Sequence, residues 1–286
     1  MTEAVTRHRR PGVVDVAAVQ RLAEDVKSDA QRLGASTTVL AFAVDESLTL
    51  LEARLIIDPQ ASELPTWEAA VTAMQVRQAA FAAAVRTEGV VRCRIVGEVR
   101  SIPATGPQFY ANAGNWLSAF WLAIVCRDQV RMTELCEVPL EVLRASGVRG
   151  DEYVYSWIDV LQTYWLERPG LVEKLGSAID NSFPEVATIA PRDLLQNVLY
   201  PPISLFCQFL RKDHGAFNVA LTEALQLHRA YWTADDERAN DFAGVVSFSL
   251  LAITCLAHDA GFPIDVESDY LPKHLLERDW VGEFEV

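Results

Sequence analysis

The chain has 286 residues, of which 50 % are hydrophobic, 22 % charged and 9 % aromatic, and its formal net charge is −14. So much apolar and aromatic material excludes a disordered acidic tail, and a chain of this length can enclose a substantial core. The negative balance argues against a partner made of nucleic acid or an anionic membrane surface, and favours a basic one.

Arg7, Arg9 and Arg10 resemble the basic start of an export signal, but Pro11, Gly12 and Asp15 follow them where an apolar segment would be needed. Cys93, Cys126, Cys136, Cys207 and Cys255 are odd in number and never spaced Cys-x-x-Cys, so the thiols are expected free, mostly buried, in a reducing cytoplasm.

In chain order, Val19, Leu22, Ala23, Val26, Ala30 and Leu33 follow a helical step, with Gly34 as the expected C-cap. Leu40 to Leu55 predicts a second helix that stops at Asp58-Pro59, and Trp67 to Val85 a third. The weak alternation of Val90 to Val99 between Gly89 and Gly97 allows either a short hairpin or an irregular loop. Phe109 to Cys126 is apolar on nearly every side and is expected at the core, with Trp116, Phe120 and Trp121 buried.

Val154 to Trp165 predicts another helix, with Asp151 and Glu152 at its positive end. Helices are also expected over Leu171 to Phe183, from Pro201-Pro202 through Leu210, over Phe217 to Tyr231, and from Phe242 to Ala260. The runs Leu117 to Cys126 and Val245 to Ala257 are shorter than the ~20 residues of a bilayer span, so both read as buried helices. The expected fold is all-α: a single multi-helical domain of packed helical hairpins over residues 1–286, broken near 90–99 by a short β-hairpin or an irregular loop.

An internal echo is visible: an apolar helix end, a basic-acidic pair and a new helix occur at Arg127-Asp128 and again at Lys212-Asp213. Similar turns or two stacked helical hairpins would both produce it.

No Gly-rich phosphate loop and no Gly-x-Ser-x-Gly elbow is present. One short stretch, His258-Asp259-Ala260-Gly261, looks like the His-Asp element of HD-type metal-dependent phosphohydrolases. That resemblance would make His228 an earlier ligand and Asp269 or Asp279 a distal one, around a metal that activates water. The bland alternatives are a helix terminus for His258-Asp259 and a satisfied core histidine for His228. With those alternatives preferred, no catalytic residue, metal or cofactor is expected.

Charge is more informative. Residues 235–286 hold 12 acidic side chains, Glu285 among them, against Arg238, Lys273 and Arg278. Asp235, Asp236, Glu237, Asp265, Glu267 and Asp269 are the first candidates for a face that meets a basic partner, the alternative being a merely solubilising surface.

Several segments together resemble a known family. They are Leu199-Tyr200-Pro201-Pro202-Ile203, the run Ala224 to Trp232, Asp259-Ala260-Gly261-Phe262-Pro263, and Glu267 to Leu276. Upstream, Asn115-Trp116, Ala119 to Ala123 and Arg127-Asp128 fit as well. The chain is thereby similar to the immunity protein 49 family, most distinctly over 115–286. What the resemblance implies is a helical, non-enzymatic protein that binds and neutralises a cognate bacterial toxin. A phosphohydrolase and a helical scaffold for host proteins remain the alternatives, and oligomeric state is left open.

Overall fold

The computed structural model describes residues 3–10, 12–34 and 37–283; Pro11 and Glu285 lie outside them. The protein is 62 % helical and 6 % strand, as the apolar periodicities require of an all-α fold. A strand β1 (Glu3–Ala4) precedes helices α1 (Val16–Arg32), α2 (Thr37–Ile57) and α3 (Leu64–Ala84). An antiparallel hairpin follows, β2 (Val90–Ile95) with β3 (Glu98–Pro103), so the weak alternation is a hairpin that runs four residues past Val99. Then come α4 (Ala113–Val125), α5 (Gln129–Cys136), α6 (Leu140–Arg144), α7 (Glu152–Trp165) and α8 (Leu171–Asn181). The C-terminal third comprises α9 (Arg192–Leu194), α10 (Pro201–Arg211), α11 (His214–Trp232), α12 (Asp236–Asn240), α13 (Phe248–Asp259), β4 (Val266–Glu267) and α14 (Lys273–Leu276).

Two helices are central. α4 is enclosed as its composition predicts: Trp116 is fully buried, stacks on Phe120 at 5.0 Å and donates its indole N–H to Leu135 O at 2.8 Å. Burying an aromatic side chain of this kind is worth about 1.5–3 kcal/mol, and the indole hydrogen bond removes the penalty for its one polar atom. α3 is the second enclosed helix. Its alanines at 69, 70, 73, 79, 80, 83 and 84 let neighbours approach closely, and even Gln75, Arg77 and Gln78 are covered. The stretch Phe242–Asp259 has the length and hydropathy of a membrane span, yet Leu250 to Cys255 are core residues.

Several helix ends carry features that the sequence reading did not give. Gly34 does not take the left-handed conformation of a C-cap; a Cβ there would lie 2.9 Å from Ser101 O, so the residue admits the β3 backbone. Asp151 leaves its own helix uncapped and instead accepts the N–H groups of Thr188, Ile189 and Ala190 at 2.8–2.9 Å, clamping the loop before α9. Asp58 does more than end α2. It accepts Ser62 and Glu63 N–H and the hydroxyls of Ser62 and Thr66 at 2.8–2.9 Å, capping the start of α3. Burial pushes its carboxyl up, but those four bonds outweigh it and hold the group below the ordinary carboxylate range. Phe242 to Val245 form a separate 3-10 turn, and α13 starts only after extended Val246. A π-helical turn, Leu195–Leu199, runs into α10 without a break.

The echoed turns are alike in geometry. Arg127 and Lys212 both sit at φ +56°, and Asp128 and Asp213 each accept the N–H three residues on, at 3.0 and 2.9 Å.

Sequence periodicity missed the short elements, the N-terminal strap among them. β1 pairs in parallel with β4, Glu3 and Val5 donating to Asp265 O and Glu267 O at 2.8 and 3.0 Å. Farther along, Arg7 reaches Leu55 O, His8 meets Tyr270, and Arg10 donates to Asn240 O.

Candidate interaction surfaces

The acidic candidates fall into two groups, because α11 holds them apart. Asn218, near the start of α11, accepts the Asp265 N–H at 2.8 Å through its side-chain oxygen. Asp235 follows the other end of that helix, and the 14 residue steps from 218 to 232 span about 21 Å. Between the groups the strap runs along Gln226, Arg229, Ala230 and Thr233, leaving a shallow cleft of about 380 Å³. The strap brings exposed Arg9 and half-buried Arg7 and Arg10 beside what the sequence presents as a predominantly acidic region.

Not all six carboxylates are alike. Asp235 caps α12 by accepting Arg238 N–H at 2.8 Å and pairs with the same guanidinium, which also bonds Asp193 at 2.7 Å and lies over the Tyr231 ring. Asp236, Glu237, Asp265 and Glu267 are exposed. Asp269 is half-buried, accepts a hydrogen bond from Gln60, and attracts the partly desolvated Arg7.

The residues suggested for metal chemistry are otherwise engaged. His228 is buried, its Nε2 3.1 Å from Gly244 O, and burial lowers its pKa to about 4. Asp259 takes the Arg127 guanidinium at 3.1 Å, and Asp279 pairs with His274 at 2.6 Å. Among the described residues no group of three or more His, Cys, Asp or Glu side chains is arranged to hold a metal.

Arg127 is a hub that its residue type alone did not reveal. Its guanidinium, 8 % exposed, also donates to Val125 O, Leu275 O and Leu276 O at 2.8 Å and to Cys255 Sγ at 3.0 Å. It therefore joins the ends of α4, α13 and α14, which fixes the C-terminal acidic segment against the core.

On another side of the molecule a groove of about 690 Å³ runs between β2, the C-terminal half of α3 and α5. Phe81, Leu135 and Val138 are its buried floor; Val85, Val90 and Val130 are exposed at its rims, and Arg86, Arg92, Glu134 and Glu137 add charge. Burial raises the Glu134 carboxyl, partly countered by Arg131. A second groove of equal size separates α1 from α3 and reaches the hairpin turn at Val96–Gly97. Val96 holds φ +50° there, its N–H fixed by buried Gln75 Oε1 at 2.8 Å, and Gly97 follows at +76°. That pair of positive φ values makes the tight turn that joins the strands, and only glycine adopts the second without cost.

Fold and surfaces together define a helical protein with separate charged faces and a grooved hairpin edge. Residues 58–275 match the family model of immunity protein 49, and the chain belongs to that family. The match covers α3 through most of α14 and leaves out the strap, α1 and α2. No curated protein and no solved structure matches the chain.

Proposed function

We propose that this protein is the antidote to a cognate bacterial toxin and acts in the cytoplasm by occupying the toxin, without chemistry of its own. The family match over residues 58–275 carries the reading. The exposed acidic groups at both ends of α11 suit a basic toxin, because complementary charge speeds encounter and slow dissociation then holds the complex. Arg127 bound to Asp259 supports inhibition over phosphohydrolysis, since a carboxylate satisfied by a guanidinium is a poor metal ligand. The test is co-expression with the product of the adjacent open reading frame. Survival and a stable co-purifying complex are expected; a neighbour that kills despite abundant folded protein overturns the reading for that partner.

A further inference from the structure

The two strands of the hairpin have different outer edges. That of β3 is covered by the end of α1, where Gly34 lies against Ser101 and Arg100 reaches back to Gln31 O. That of β2 faces the groove. The pair Ile95–Glu98 closes a two-residue turn, so narrow and wide pairs alternate down the ladder. Backbone groups of Ile95, Cys93 and Val91 consequently point to β3, and those of Arg94, Arg92 and Val90 point out. Two bonds fix this phase. Gly89 O takes Ala104 N–H at 2.9 Å from the inner side, and Arg131 Nη2 donates to Arg94 O at 3.1 Å from the outer side. No described residue bonds to the outward backbone groups of Val90 or Arg92.

An outward row of N–H and C=O groups repeating about every 6.8 Å matches one ligand chemistry, another extended backbone. The groove beside it supplies a buried apolar floor for alternate side chains of such a strand. On the solvent side, exposed Arg92 and Arg86 favour acidic residues opposite them. The same charges disfavour a second copy of this chain, whose β2 would set arginine against arginine.

We propose that β2 accepts an extended segment of the toxin as a third strand, with apolar residues on the groove floor alternating with acidic ones beside Arg86 and Arg92. This docking mode rests on the immunity reading.

The test is residue-resolved amide exchange of the full chain, free and bound to the adjacent open reading frame's product. Free Val90 and Arg92 amides exchange fast, and in the complex they slow at least tenfold, worth about 1.4 kcal/mol each. Arg92→Pro removes one outward donor without breaking a bond to β3 and weakens binding at least tenfold; Arg92→Ser keeps the donor and loses less. A complex that forms while both amides stay fast, or that Arg92→Pro leaves unchanged, overturns the docking mode and leaves immunity standing. If the wild-type chain neither binds nor rescues, the immunity reading falls and the docking mode with it. Should Arg92→Pro not fold, exchange on the wild-type complex decides alone.

Discussion

The Tyr270 hydroxyl lies 2.8 Å from His8 Nδ1 and accepts the His8 backbone N–H at 3.0 Å, fastening the strap to a fully buried ring. His228 meets the same ring edge-on at 4.8 Å. Two imidazoles thus depend on one phenol, and both are kept neutral: burial lowers the His8 pKa, with Arg7, Arg10 and Arg229 adding to it, and lowers that of His228 to about 4.

Acid should therefore loosen this corner. A folded pKa near 4 against an ordinary 6.5 means that the unfolded chain binds the extra proton first, so stability falls as pH drops from 6.5 toward 4. The loss from His228 is about 3 kcal/mol. In denaturant unfolding at pH 7, 5.5 and 4.5, His228→Gln should gain on the wild type as the pH falls, because the variant lacks this group's acid penalty.

Glu52 predicts the opposite slope. Burial first, then Asp241, raises its carboxyl to about 8, only partly offset by Arg77. The folded chain here holds the extra proton, so stability declines as pH rises from 4.5 through 8, by roughly 4 kcal/mol at pH 8. Glu52→Gln should gain on the wild type steadily between pH 5 and pH 8 in the same assay.

Removing the Arg127 guanidinium strands the carbonyls of Leu275 and Leu276 and the Asp259 carboxylate together. Arg127→Ala should cost about 3–5 kcal/mol in urea unfolding. Arg127→Lys should recover a minor part, because an ammonium cannot reproduce the fork.

The thiols should be inert in the folded state. Burial raises Cys93 to about 11, Cys126 and Cys255 to about 12, and Cys136 further. Only Cys207 is half-buried. Because the thiolate is the reactive form, a disulfide reagent at pH 8 should titrate less than one equivalent in minutes, and all 5 after denaturation.

For the proposed toxin complex, association should slow as salt rises. Reversing Asp236, Glu237, Asp265 and Glu267, the exposed members of the acidic set other than the Arg238-paired Asp235, should lower the association rate by about tenfold or more at low ionic strength and change dissociation little. Stopped-flow binding at two salt concentrations separates the rates.

The helices were legible because their apolar faces repeat every 3.6 residues, and the burial of Trp116 and Phe120 followed from composition alone. What the sequence concealed depends on partners far along the chain. Asp151 and Arg127 look like ordinary helix-end residues until the segments that they bind are in place. A two-residue strand such as β1 carries no period at all. The acidic candidates could be read as charge, but their division depends on the length of α11 and on the strap laid between them. The outward phase of β2 is a property of the turn at Val96–Gly97, which periodicity in residues 90–99 does not specify.

Val5 and Ser268, bonded at 2.7 Å, are 263 positions apart. At a ribosomal pace of about 5–20 residues per second, the strap waits roughly 10–50 s before its docking strand has been synthesised. A nascent chain cannot close this corner in stages: β1, the Tyr270 pocket and the Arg127 junction all come together only when the last fifth of the protein has left the ribosome. Truncated translation products would therefore lack the finished C-terminal face, and a ribosome stalled late in the message would yield a chain whose strap has nothing to dock on.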